Sequence, residues 1–272
     1  MCMRNWSKRR KCIFVIKNHL NFFPYLYGFV VLATLVVQSC GNNTSQNIAV
    51  ATAANAQFAI NELVDTFTHQ TGIECDIIVS SSGKLTAQIS EGAPYDIFIS
   101  ADMKYPESLH IKQKTPTPPR VYAYGNLVLW SRNENIDLNI QSLKNQNIQR
   151  IAIANPKTAP YGIAAVETLQ KQGIYEQVKD KLVYGESISQ VNQFVWSGVA
   201  DVGFTAMSVV LSPRMKNEGI WIAIETKNHT PIQQGAVLIN RKNANPEATR
   251  FYEFLFSPKA KKILQKYGYE TP

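Results

Sequence analysis

The chain has 272 residues, 45% of them hydrophobic, enough to bury a sizeable core and to exclude wholesale disorder. Its 14 glycines and 13 prolines are near average and exclude collagen-like and low-complexity classes. The net charge of +8 suggests a nucleic-acid binder, but residues 1–39 hold Arg4, Lys8, Arg9, Arg10, Lys11 and Lys17 and no Asp or Glu; beyond them 22 basic residues face 20 acidic ones, leaving no stripe to neutralise phosphates.

The basic cluster ends at Lys17, and Phe22 to Val37 is uncharged and mostly apolar. That run is short for a spanning helix, and Pro24 and Gly28 interrupt it. A basic region, a compact apolar region and a small residue before a cleavage point make a secretory signal. Val37-Gln38-Ser39-Cys40 resembles a bacterial lipoprotein signal, with 1–39 removed and Cys40 lipidated. The folded part is then expected outside the cytoplasmic membrane, with 40–47 as a polar tether. Of four cysteines only Cys75 remains, so no disulfide framework is expected. Alternation with Ile73, Ile77 and Val79 makes Cys75 a buried small hydrophobe.

Element types then alternate. Ile48 and Val50 open a strand; Ile60, Leu63, Val64 and Phe67 mark one helix face, ended by Gly72. Strands follow over 73–79 and 95–100, with a short helix through Leu85 and Ile89 between them. After a break near 122–126 the pattern restarts: strands over 126–131, 151–154, 202–205, 221–224 and 236–239, and helices over 163–172 and 189–196. Helical pieces near 248–255 and 260–267 close the chain. This predicts two α/β lobes built on right-handed crossovers.

Zincin-type histidine spacing, a G-x-x-x-x-G-K-[ST] loop, a G-x-G-x-x-G turn and a G-x-S-x-G elbow are all missing. No metal ligation, cofactor or general acid–base pair is predicted. Instead, small and polar residues collect at four strand-to-helix junctions: 51–55 (ATAAN), 80–84 (SSSGK), 155–162 (NPKTAPYG) and 185–189 (GESIS). Ligands of open α/β sheets lie outside the carboxyl ends of the strands. Converging helix N-termini there would make an anion site without formal charge; each junction alone also reads as ordinary helix capping. Lys84 reads as a solvated lysine, as a partner for an anion, or with Ser82 as a hydrolytic dyad.

The stretches 80–102 (SSSGKLTAQISEGAPYDIFISAD), 122–131 (YAYGNLVLWS), 151–169 (IAIANPKTAPYGIAAVETL), 185–208 (GESISQVNQFVWSGVADVGFTAMS), 231–239 (PIQQGAVLI) and 266–270 (KYGYE) together resemble the periplasmic molybdate-binding proteins of ABC importers. The resemblance implies a type II periplasmic binding protein fold. Lobe 1 would be 48–124 with 231–272, and lobe 2 would be 125–230. It implies no enzyme activity and no cofactor. The partners it implies are molybdate or tungstate, a membrane permease, and the membrane through lipid on Cys40; it implies no nucleic acid, and a monomer. The ligand residues it implies are Asn55 with the Ala54 amide, Ser82, Tyr161 by amide or hydroxyl, and the main-chain N–H of Ile188. Ala54 offers no hydroxyl, and Ala206 stands where some members have tyrosine. Sulfate or phosphate binding, a Ser82/Lys84 hydrolase and a lipoprotein with a degenerate cleft are the competing expectations.

Overall fold

The computed structural model describes residues 47–272; the expectations for 1–39, for Cys40 and for most of the tether lie outside them. Ten strands form two mixed five-stranded sheets. The first holds β1 (Ile48–Ala53), β2 (Cys75–Ser80), β3 (Ile97–Ile99), β4 (Arg120–Gly125) and β10 (Ile232–Leu238), in the order β2-β1-β3-β10-β4. The second holds β5 (Leu127–Ser131), β6 (Ile151–Ala154), β7 (Leu182–Gly185), β8 (Val202–Ala206) and β9 (Ile220–Ala223), in the order β7-β6-β8-β5-β9. Each sheet has three parallel strands followed by one antiparallel strand that pairs with the next on both sides. That antiparallel strand is β10 in one sheet and β5 in the other. Each is reached directly from the opposite sheet, so the chain crosses between them twice.

The apolar spacing read from the sequence explains the first crossover. Helix α1 (Gln57–Thr71) buries Ile60, Leu63, Val64 and Phe67 against the first sheet. Gly72 ends it at φ 71°, a left-handed conformation suited to glycine, and donates to the Thr68 carbonyl. Helices α2 (Ser82–Ser90), α3 (Lys104–Ile111), α4 (Pro160–Lys171), α5 (Ile188–Trp196), α6 (Ala248–Phe254) and α7 (Pro258–Lys266) complete the layers. The second sheet encloses its own core around Trp130, Ile153, Val191 and Phe204.

Several expectations are corrected. The break near 122–126 falls where the chain passes from the first sheet to the second, but Arg120–Gly125 is itself a strand, β4, paired antiparallel to β10. Helix α3 buries only Pro106 and Leu109, and β7 is an edge strand in which only Gly185 is buried, so neither carries a strong apolar period. Strand β10 starts at Ile232, four residues early, because the buried amide of Gln234 interrupts its apolar run. Cys75 lies on the edge strand β2 and is only partly buried. Burial, with Glu74, Asp76 and Asp96 adding to it, pushes its thiol up to about 12. Cys75 is expected to resist thiol-disulfide reagents at neutral pH in the native state and to react on unfolding. Equal rates in both states would contradict this.

Candidate functional site

The carboxyl ends of β1, β2 and β6, and the turn after β7, lead into the four junctions. Asn55, Ser82, Tyr161, Ile188 and Ala54 all line one small cavity of about 10 Å³, together with Ser81, Ala101 and Pro160. No Asp, Glu, His, Lys or Arg lines it. The structure thus brings together all five residues singled out from the sequence.

Side-chain capping accounts for only part of these junctions: the Glu186 amide donates to Gln190 Oε1 and the Lys157 amide to Asn155 Oδ1. The 3-10 turn Ala54–Ala56 and helices α2, α4 and α5 have no side-chain cap hydrogen bond. Among the described helices only α7 has one, Ser257 Oγ accepting from the Ala260 amide; α3 and α6, away from the cavity, also lack one. In α4, Pro160 occupies the first turn and has no N–H, so Tyr161 carries the first amide. Uncapped helix starts direct orphan N–H groups and the positive end of the dipole toward what faces them.

The side chains divide into two groups. Asn55 Nδ2 donates to Gln234 Oε1 (2.9 Å) and to the Tyr269 hydroxyl (3.1 Å), which uses both of its hydrogens. The Asn55 carbonyl accepts from Ser208 Oγ at 2.6 Å and from the Tyr269 hydroxyl at 3.1 Å. The Tyr161 hydroxyl accepts from Gln234 Nε2 at 3.1 Å. Burial raises the pKa of that phenol well above its ordinary value, so it stays neutral. Asn55 Nδ2 is therefore spent on protein groups, whereas the Tyr161 hydroxyl accepts from Gln234 and keeps its own hydrogen; the backbone amides of both residues remain for the cavity. Ser82 Oγ accepts from the Ala101 amide at 3.0 Å. Ser81 Oγ is buried and has no hydrogen-bond partner. Ser81 was missed from the sequence; the run Ser80-Ser81-Ser82 was the signal, and only the turn geometry separates its members.

Lys84 is not fully solvated, and it forms no dyad with Ser82. Its Nζ lies 2.6 Å from Glu186 Oε2, pairing the second junction with the fourth. Beside this pair, the Gly83 amide donates to the Thr158 carbonyl (2.9 Å), and the Tyr105 hydroxyl donates to the Lys157 carbonyl (3.2 Å). A Cβ on Gly83 would meet Thr158 Cα at 2.9 Å, so only glycine permits this approach. These three contacts clasp the two halves beside the cavity. Two larger hollows, of about 940 and 560 Å³, are open surface features; the first lies between α1 and β2 and is lined by Asp65, Glu74 and Asp76. Carboxylates in the first disfavour an anion, and the second, with Phe58, Phe194 and Trp196 beside Arg214, holds none of the residues singled out from the sequence.

The family model for bacterial extracellular solute-binding proteins matches residues 48–270. The chain belongs to the bacterial extracellular solute-binding proteins. Among similar family members, the molybdate-binding protein ModA of Azotobacter vinelandii is 38% identical over 82% of this chain and 89% of its own length. ModA of Rhodobacter capsulatus is also 38% identical, over 82% and 88%. The putative ABC transporter substrate-binding lipoprotein YvgL of Bacillus subtilis is 31% identical over 87% and 94%. The solved structure of the Azotobacter vinelandii periplasmic molybdate-binding protein superposes with a TM-score of 0.79 at 33% identity, covering 83% of this chain and all of the other. The fold is that of the periplasmic binding proteins.

Proposed function

We propose that this solute-binding protein takes up molybdate, and tungstate with it, in the cavity between the sheets and delivers the anion to the membrane permease of an ABC importer. The observation that carries the reading is the convergence of four helix starts and the unpartnered Ser81 hydroxyl on a cavity without charged side chains. The names of the relatives point to the same anion. The donors are the amides of Ala54, Asn55, Tyr161 and Ile188 and the hydroxyls of Ser81 and Ser82. Each hydrogen bond to a charged acceptor contributes about 1.5–3 kcal/mol. Closure of lobe 2 (125–230) on lobe 1 (48–124 with 231–272) excludes water and strengthens them. A ring of donors fitted to the larger tetrahedron is too loose for sulfate. The protein works outside the cytoplasmic membrane as a monomer, with lipid on Cys40 holding it near the permease.

The test is calorimetric titration of a soluble form, residues 47–272, with molybdate, then competition with tungstate, sulfate and phosphate. Tight molybdate binding that excess sulfate does not displace is expected. Absence of both heat and thermal stabilisation with molybdate would sink the reading.

The two serines are expected to differ. Ser81→Ala and Ser82→Ala each remove one donor and should weaken binding by about 1–3 kcal/mol. Ser82→Ala also strips the Ala101 amide of its acceptor and should lower the melting temperature of the free protein. Ser81→Ala removes a hydroxyl that is buried and unpaired in the free protein, so its melting temperature should hold or rise. Affinity unchanged in Ser81→Ala would remove that hydroxyl from the site.

The clasp has a kinetic signature. Lys84→Met is expected to speed anion release by about twofold to fivefold, with little change in the association rate, because the pair links the second junction to the fourth across the cleft. The partners are about half exposed, so the thermodynamic effect stays below about 1 kcal/mol. Stopped-flow release rates check it; a slowed association with unchanged release would contradict it.

A further inference from the structure

Gln234 joins the two halves of the cavity from within, bonding to Asn55 on one side and Tyr161 on the other. It is fully buried on β10, the strand by which the chain returns to the first sheet. A bulge between Gln234 and Gly235 shifts the register against β4, the kind of irregularity that re-aims a side chain. The Gln234 carbonyl oxygen accepts from the Tyr122 hydroxyl at 2.6 Å and from Asn55 Nδ2 at 2.9 Å. Its Nε2 donates to the Tyr161 hydroxyl at 3.1 Å. Asn55 belongs to the first junction and Tyr161 to the third, on opposite sheets. The other crossing passes the same point: a Cβ on Gly125 would lie 2.2 Å from both Gln234 Nε2 and the Tyr161 hydroxyl. Only glycine leaves room for this contact.

We propose that Gln234 is a positioning residue for the anion: its amide fixes the Asn55 and Tyr161 junctions relative to each other, and its neutrality keeps the interior beside the cavity acceptable to a dianion. The inference rests on the anion-binding reading and goes beyond the residues that line the cavity. Chemistry requires an amide here, because one end must accept from two donors while the other donates to Tyr161. Leucine would fill the space and hold neither junction. Glutamate would keep Tyr122 and Asn55 paired and place a buried acid next to the anion.

The groups facing Gln234 make its charge state readable. They are the phenols of Tyr122 on β4, Tyr161 on α4 and Tyr269 near the C-terminus, with the amide of Asn55 and the hydroxyl of Ser208 completing the network. Burial pushes all three phenols above their ordinary range, so each stays neutral at physiological pH. Asp102 packs its backbone beside Gly235 but turns its carboxyl to Ser100 Oγ and the Tyr105 amide. Among the described residues no ionised side chain hydrogen-bonds to the network. Burial raises the Asp102 carboxyl above its ordinary value, but it makes no hydrogen bond to the network, so a glutamate at 234 would be the one carboxyl within it.

The experiment compares wild type, Gln234→Glu and Gln234→Leu by calorimetry with molybdate between about pH 6.5 and 8.5. Wild-type affinity should be flat. A bound dianion raises the pKa of a neighbouring carboxyl, so Gln234→Glu should take up a proton on binding and lose about tenfold or more in affinity as pH rises. Its binding enthalpy should depend on the ionisation heat of the buffer. Gln234→Leu should bind about tenfold or more weakly at every pH, as expected when positioning is lost without a charge. The proposal is overturned if Gln234→Glu is as flat as wild type, or if Gln234→Leu binds within about twofold of wild type. Should Gln234→Glu fail to fold, Gln234→Leu alone decides. Wild type that binds no oxyanion would overturn the anion reading itself, whereas variants that match a binding wild type overturn only the role of Gln234.

Discussion

Gly162→Ala is expected to lower the melting temperature and to weaken anion binding together, although alanine is the better helix former. Helix propensity favours alanine over glycine by about 0.8–1 kcal/mol. Packing opposes it. Gly162 sits in the first turn of α4, directly on the end of β6, and a Cβ there would meet the Ala154 carbonyl oxygen at 2.0 Å and its carbon at 2.7 Å. Both are backbone atoms of a central strand, so no flexible side chain yields. The helix start must retreat instead, at a cost typical of overpacking, about 1–3 kcal/mol. For a folded unit of this size that amounts to roughly 2–4 °C for each kcal/mol net. Binding suffers more, because the Tyr161 amide rides on the same turn; a displacement of about 1 Å can cost on the order of a hundredfold where several donors must converge. Thermal melts with and without molybdate, paired with a titration, check both effects. Wild-type affinity in a folded Gly162→Ala protein would show that the third junction does not touch the anion.

Asp96→Ala should show the opposite pattern, a large loss of stability with anion affinity intact. Asp96 precedes β3 and its side chain is fully buried. Oδ1 accepts from Arg241 Nε at 2.9 Å, Arg241 Nη2 at 2.6 Å and the Asn245 amide at 2.9 Å; Oδ2 accepts from the Ala49 amide at 2.9 Å. One carboxylate thus ties β1, β3 and the segment before α6. Its removal leaves a largely buried guanidinium and two amides without their acceptor, which costs about 3–5 kcal/mol. The melting temperature should fall by roughly 6–20 °C. The carboxylate lies at the amino end of β3, whereas the cavity lies at the carboxyl ends of the strands, so affinity measured well below the transition should match wild type. A loss of binding comparable to the loss of stability would mean that the network at this end reaches the cavity.

Much of the architecture was legible in residue order. The period of Ile60, Leu63, Val64 and Phe67 defined α1, and the apolar run Ile97-Phe98-Ile99 marked a central strand. Small polar residues at the strand ends named the four junctions, and all five expected residues line one cavity. Strand β4 and helix α3 were missed because hydrophobic periodicity reports burial on one face. Tyr122 and Ala123 are buried in β4, but the proline-rich stretch before them and Gly125 after them read as a break. Helix α3 is polar almost all round.

Residue order by itself determined that the body is a nearly neutral α/β protein with donor-rich strand ends. These properties depend on composition and on periods of two and 3.6 residues, which are local. Only the tertiary structure decided which donors remain for a ligand. Ser81 and Ser82 are indistinguishable in sequence, yet one hydroxyl accepts from Ala101 and the other is unpaired. Asn55 spends its amide hydrogens on Tyr269 and Gln234, and the Tyr161 hydroxyl accepts from the same Gln234, a residue 179 positions from Asn55 in the chain. Lys84 finds Glu186 across the halves. A hydrogen bond depends on distances of about 3 Å between particular atoms, and for residues so far apart in the chain those distances exist only after both sheets have packed.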